Sequence, residues 1–107
     1  MAKFLIEASY TADGLKGLKK DTAAGRRKAI DNAAKKLGGK LESMHFALGQ
    51  YDVIAVLELP NTVSAAAVAL AAGSSGLVRP KTTALLTVEE TDQALAMTTS
   101  YKAPGQA

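Results

Sequence analysis

Alternating apolar and polar positions mark the beginning of the chain. Phe4, Ile6 and Ala8 occur at every second position, which predicts a strand over residues 3–9. The opposite face of that strand would carry Lys3, Leu5, Glu7 and Ser9. Such a strand can bury one face in a core and offer the other face to a second layer.

The period changes to that of a helix after Thr11, which is a good N-cap residue. Apolar residues then follow the helical spacing most clearly between residues 26 and 37. Gly25 predicts a kink or break over residues 22–26, because glycine weakens a helix interior. Gly38-Gly39 predicts the end of the helix, since glycine readily adopts the left-handed C-cap conformation.

Two further strands are predicted close together in the chain. Residues 40–48 alternate, with Met44, Phe46 and Leu48 on one face and Leu41, Ser43, His45 and Ala47 on the other. Residues 52–59 are almost all apolar, and the short connection between the two segments predicts a hairpin. A strand that is apolar on both faces must be covered on both faces. We therefore expect a second copy of the chain to cover the sheet face that the helices leave open.

The remaining elements complete a recognisable order. Residues 63–72 predict an alanine-rich helix capped by Asn61 or Thr62, and residues 78–88 predict a fourth strand with Pro80 near its beginning. The spacing of Thr87 and Glu90 is that of a capping box, which predicts a short helix ending near Met97. The order β-α-β-β-α-β with a C-terminal helix is typical of a ferredoxin-like α+β domain. We expect one domain over residues 1–97 and a flexible tail over residues 98–107.

The amino-acid composition excludes several kinds of metal site and argues against a membrane segment. The 107-residue chain is 48% hydrophobic with no cysteine and one histidine, so it cannot build a thiolate site or a typical histidine metal site, and we expect neither a metal nor a cofactor. No apolar segment is long enough for a membrane span or a secretion signal, and we expect a cytoplasmic protein without membrane contact.

Charge is distributed unevenly along the chain. Residues 1–40 contain ten Lys or Arg against four Asp or Glu, whereas residues 41–107 contain three against six. A basic first helix raises the alternative of nucleic-acid binding, but it contains no aromatic residue for base stacking, so a solvated face is preferred. Because the two parts of the chain have net charges of opposite sign, they could also attract each other between copies of the chain.

The segment Gly49-Gln50-Tyr51-Asp52 is the sharpest local motif. We interpret it first as turn chemistry, with Gly49 at positive φ and Asp52 accepting hydrogen bonds from backbone N–H groups. The functional alternative is that Tyr51 and Asp52 line a ligand pocket at a junction between subunits.

Four other polar residues are candidates for a site. If helices cover the Phe46 face, His45 and Glu7 lie on the opposite face, where a cluster with Tyr10 would bind a polar ligand or transfer a proton. The preferred interpretation is a hydrogen-bond network at an interface. Arg26 falls on the apolar stripe that contains Ile30, so it needs an anionic partner, either a ligand or a protein carboxylate.

The chain resembles the GYD domain family, a group of small bacterial proteins. The resemblance rests on Phe4, Ala8-Ser9-Tyr10-Thr11, Gly14-Leu15-Lys16-Gly17-Leu18, Leu37-Gly38-Gly39-Lys40-Leu41, Leu48-Gly49-Gln50-Tyr51-Asp52-Val53, Glu58-Leu59-Pro60 and Leu86-Thr87-Val88-Glu89-Glu90. It implies a ferredoxin-like fold and a dimeric α/β barrel. The hairpin is also similar to that of the ligand-sensing domain of leucine-responsive regulators, but their DNA-binding helix-turn-helix is absent here.

These observations favour a homo-oligomer that binds a small ligand at a subunit interface and has no catalytic role. The first alternative is a cofactor-independent enzyme of the dimeric barrel type, a monooxygenase or isomerase, which requires an enclosed cavity around His45. The second alternative is nucleic-acid binding through the basic first helix.

Overall fold

A computed structural model describes residues 1–106 and confirms the ferredoxin-like α+β arrangement. The elements are β1 (Ala2–Tyr10), α1 (Ala12–Lys36), β2 (Lys40–Phe46), β3 (Val53–Leu59), α2 (Thr62–Ser74), β4 (Val78–Leu85) and α3 (Val88–Ala96). The fourth strand ends three residues earlier than predicted, because the capping box at Thr87 begins α3 directly after it.

The four strands form one antiparallel sheet in the order β2-β3-β1-β4. The doubly apolar strand β3 and its neighbour β1 therefore lie in the centre, and Pro80 lies in the edge strand β4, where proline is tolerated. Alternate residues of β3 are buried beneath α1 and α2, namely Val53, Ala55, Leu57 and Leu59. The other residues of β3 face the uncovered side of the sheet.

Local capping explains where the helices begin. The Thr11 hydroxyl accepts a hydrogen bond from Gly14 N–H at 3.1 Å, and the Asn61 side chain accepts one from Ser64 N–H at 2.9 Å. The predicted break in α1 is confirmed at Thr22, where φ is 71° and the hydroxyl accepts a hydrogen bond from Gly25 N–H. Gly38, with φ of 86°, ends the helix as predicted.

The core is made of small and medium side chains between the helices and the sheet. Phe4, Leu57 and Leu59 are at most 2% exposed, and Ala34 and Ala65 bring α1 and α2 close to the strands. Asp31 links α1 to β2, because its carboxylate accepts a hydrogen bond from Leu41 N–H at 3.3 Å. The same carboxylate contacts Lys35, one turn further along α1, at 2.9 Å. These hydrogen bonds, that to Lys35 first, lower the pKa of Asp31.

Two local expectations are wrong. The register of β2 against β3 shifts between Leu41 and Ser43, so Leu41 packs against the core on the same face as Met44. A β-bulge adds one residue and therefore reverses the alternation on one side of it. Gly49 does not have a positive φ; the turn is instead held by long-range hydrogen bonds described below.

The C-terminal arm, defined here as Leu86–Met97, extends away from the domain. Its helix α3 has the predicted capping box, in which Thr87 and Glu90 exchange hydrogen bonds, and every residue of α3 is exposed. The radius of gyration is 17.0 Å, whereas a compact chain of this length would have roughly 13 Å. Leu86, Val88, Leu95 and Met97 are all exposed, so the domain does not cover the apolar side chains of the arm.

Candidate functional site

A cleft separates α1 from α2 on the helical side of the sheet. Helix α1 packs mainly on β2 and helix α2 mainly on β4, so the centre of the sheet is covered incompletely. The interhelix cleft has a volume of about 570 Å³. Its walls are mostly apolar, and small side chains at a spacing of four residues keep it open: Ala29 and Ala33 on α1, and Ala67 and Ala71 on α2. Sequence reasoning missed this cleft, although the paired alanine spacing was its signal.

Polar side chains gather at one end of the interhelix cleft. Tyr10, Asp21 and Arg26 line it together with the apolar stripe of α1. Arg26 lies on that stripe as predicted, and its guanidinium forms an ion pair with Asp21 at 3.5 Å. The ion pair is half-exposed and leaves other N–H donors of the planar guanidinium for a further acceptor.

The hairpin loop between β2 and β3 is tied to the end of β1 beside this cleft. Asp52 accepts a hydrogen bond from Tyr10 N–H through its side chain at 2.8 Å, and its own N–H donates to Ala8 O at 2.9 Å. The Ser9 hydroxyl donates to Gln50 O at 3.3 Å. The predicted backbone role of Asp52 is thus confirmed, but its partner lies in β1 and not in the turn. Tyr51 is half-buried in the same loop.

Burial raises the pKa of Tyr10, the nearby Arg26 guanidinium partly opposes that rise, and the Asp52 carboxylate adds to it. The folded state therefore favours the neutral phenol. The neutral Tyr10 phenol contributes to stability below the ordinary pKa of 10.0. This contribution is lost as the pH rises through the raised pKa that Tyr10 has in the folded protein.

We expect the free energy of unfolding to fall more steeply for the wild type than for Tyr10→Phe between about pH 9 and about pH 11. Urea unfolding at several pH values measures this difference. Parallel curves for the two proteins would contradict the described environment of Tyr10.

Glu7 and His45 lie on the other side of the sheet, on the uncovered surface that we call the open face. Its centre carries Leu5, Ile54 and Val56, and Glu7 and His45 each pair with Ile54 from opposite sides. Two strand spacings of about 4.8 Å therefore separate Glu7 from His45. Tyr10 lies on the helical side, so one chain does not assemble the Glu7–His45–Tyr10 cluster.

Charges surround one end of the open face. Lys3 Nζ contacts Glu42 at 2.7 Å and Glu58 at 3.8 Å, and Lys40 contacts the other oxygen of Glu58 at 3.6 Å. Hydrogen bonding and charge attraction from Glu42 raise the pKa of Lys3. This network gives the open face an apolar centre with a charged rim, which is the usual composition of a surface between subunits.

Helix α1 carries exposed basic residues outside the interhelix cleft. Within residues 1–106, Lys19, Lys20, Arg27, Lys28 and Lys36 have no carboxylate within ion-pair distance. No cluster of three metal-ligating side chains occurs in that part of the chain, and none of its helices combines the length and apolar character needed to cross a membrane.

Comparisons with known proteins identify the family. No curated protein and no solved structure gives a significant match. The family model of the GYD domain matches residues 4–95, a range that includes most of β1, the other three strands and all but the last residue of α3. Because this match covers most of the chain, the protein belongs to the GYD domain family.

Proposed function

We propose that this GYD-domain protein is a homo-oligomer that binds a small molecule with an apolar body and one anionic group in the interhelix cleft. The observation that carries the proposal is the combination of an apolar cavity of about 570 Å³ with Arg26 and Tyr10 at one end. Ligand sites in proteins typically combine mostly apolar walls with a few polar groups that fix orientation. A regulatory or sensing role, without catalysis, agrees with this arrangement.

The chemistry of the polar end supports a carboxylate or phosphate group on the ligand. A guanidinium presents parallel N–H donors that match such a group, and Arg26 is only 33% exposed at its side chain. The neutral phenol of Tyr10 supplies a further donor. The alanine side chains of the walls contact the apolar body of the ligand without forming hydrogen bonds to it. The walls therefore select that body by its size.

The test uses octanoate and 1-octanol as probes in thermal unfolding. Octanoate is expected to raise the melting temperature of the wild type by several degrees, because ligand at a hundred times its Kd stabilises by about 2.7 kcal/mol. Arg26→Gln should remove the preference for octanoate over the alcohol. The matched control Arg27→Gln changes an adjacent arginine that does not line the cleft.

A second pair of variants tests the position of the apolar body. Ala67→Phe fills the interhelix cleft and should abolish the response to both probes, whereas Ala66→Phe changes a neighbouring exposed alanine outside the cleft and should retain it. Equal responses of Ala67→Phe and Ala66→Phe would contradict the proposed site, and so would a wild type that neither probe stabilises.

A further inference from the structure

The C-terminal arm is built as a helix but lacks a surface to pack on. Val88, Thr91 and Leu95 share one face of α3, and Val88 and Leu95 are 75% and 77% exposed. A nine-residue helix is too short to be stable by itself in water. The family match continues through Leu95, so α3 is part of the domain and needs a packing partner.

A groove of matching character lies between α1 and the edge strand β2. We call it the edge groove, and it consists of two adjoining depressions of about 530 and 340 Å³. Its apolar lining is formed by Ala23, Ala24, Leu41, Met44 and Phe46. Its polar lining is formed by Arg27, Lys28, Asp31, Glu42, Ser43 and His45, of which Arg27 lines both depressions. Phe46 is 41% exposed although it lies on the helical side of the sheet.

The charges of the two surfaces are complementary. The C-terminal arm contains Glu89, Glu90 and Asp92 and no basic residue. The edge groove is bordered by Asp31 and Glu42, which are paired with Lys35 and Lys3, and by Arg27 and Lys28, which have no carboxylate partner within residues 1–106. Docking a short amphipathic helix into an apolar groove with an oppositely charged rim buries the exposed apolar residues of both. It also neutralises charges that face each other across the rim.

The arm does not start close enough to occupy the groove of its own chain. Helix α3 follows β4, and the edge groove borders β2 on the far side of the sheet. Leu85 lies level with Lys3, whereas Phe46 lies level with Ala8 through Val53. The far end of the edge groove at Phe46 is thus roughly 20 Å from Leu85, and its near end at Leu41, level with Ala84, is roughly 14 Å away across three strand spacings. The link from Leu85 to Val88 spans at most about 10 Å.

We propose that the C-terminal arm of one copy docks in the edge groove of a second copy of this chain. This contact lies on the helical side of β2 and meets the open face only at its border, where His45 lines the edge groove. It does not involve the interhelix cleft. It gives the assembly a reciprocal or chain-like link in addition to sheet-to-sheet contact, and it accounts for the opposite charges of the two ends of the sequence.

Cross-linking between two single-cysteine variants tests the contact, since the natural chain has no cysteine. Ala94→Cys places a thiol on α3, and Ala24→Cys places one in the edge groove. The two proteins are mixed, one of them labelled with ¹⁵N, and treated with a short bismaleimide. Mass spectrometry then measures the covalent heterodimer. The matched control replaces Ala24→Cys by Ala66→Cys, an exposed alanine on α2.

We expect about tenfold more heterodimer with Ala24→Cys than with Ala66→Cys, because docking raises the local concentration of one thiol near the other. Adding Glu89→Lys and Asp92→Lys to the arm should reduce this yield, and adding Arg27→Glu and Lys28→Glu to the partner should restore it. Equal yields of heterodimer with Ala24→Cys and with the control Ala66→Cys would overturn the proposal. So would efficient cross-linking within one chain that carries both Ala94→Cys and Ala24→Cys.

The result is independent of ligand binding. Ala67→Phe blocks the interhelix cleft, so cross-linking should persist in that background, and failure of the octanoate test would leave the cross-linking result unchanged.

Discussion

Replacing Gly14 by alanine should destabilise the domain by about 3 kcal/mol, since the added methyl group overpacks a site bounded by backbone. A Cβ on Gly14 would overlap the carbonyl group of Leu77 and crowd the Tyr10 ring. That carbonyl cannot move freely, because it accepts a hydrogen bond from Thr11 N–H at 3.0 Å. The substitution would therefore separate the beginning of α1 from the loop that precedes β4. Urea unfolding followed by circular dichroism measures the loss.

Gly17 supplies the matched control in the same helix. A Cβ there would meet no atom within 4 Å, so Gly17→Ala should stabilise the protein by up to about 1 kcal/mol through helix propensity. The two substitutions are chemically identical and are expected to have opposite signs. Similar effects at both positions would contradict the close contact between α1 and Leu77.

Val56→Glu should break the proposed sheet-to-sheet contact and lower the average mass of the oligomer at micromolar concentration. Val56 pairs with Leu5 and Ser43 in the centre of the open face. An unpaired carboxylate buried between two sheets would weaken self-association by about a hundredfold or more. Sedimentation velocity over a range of concentrations measures the change, and circular dichroism establishes that the variant is folded.

The control for this substitution is Val63→Glu, which introduces the same side chain at a position that is 76% exposed at the beginning of α2. It should leave the oligomer unchanged. If the wild type is already monomeric, or if Val63→Glu dissociates the oligomer as strongly as Val56→Glu, the open face is not the contact between subunits.

Short-range sequence patterns predict most of the fold. Thr11, Asn61 and Thr87 were predictable as helix caps, because a cap depends on residues within one turn of it. The strand order follows from the β-α-β-β-α-β sequence of elements, and the break in α1 follows from Gly25 and its neighbours. These features need no knowledge of distant contacts.

The candidate site was less predictable, because it depends on distances between elements. The sequence predicts that β1 ends at Ser9, whereas the strand continues to Tyr10. This extra residue puts Tyr10 on the face of Ala8, beside Arg26 and away from His45. The bulge near Glu42 is set by pairing with β3 and has no local signature. Asp52 binds β1 across 42 positions, so its partner could not be read from the turn.

Solution NMR during titration with octanoate measures the ligand site most directly. If octanoate binds in the interhelix cleft, the amide signals of Gly17, Ala67 and Ala71 shift with a saturable dependence on concentration, and those of His45 and Ile54 on the open face stay in place. Shifts confined to the open face, or no saturable shift at either location, would contradict the proposed function.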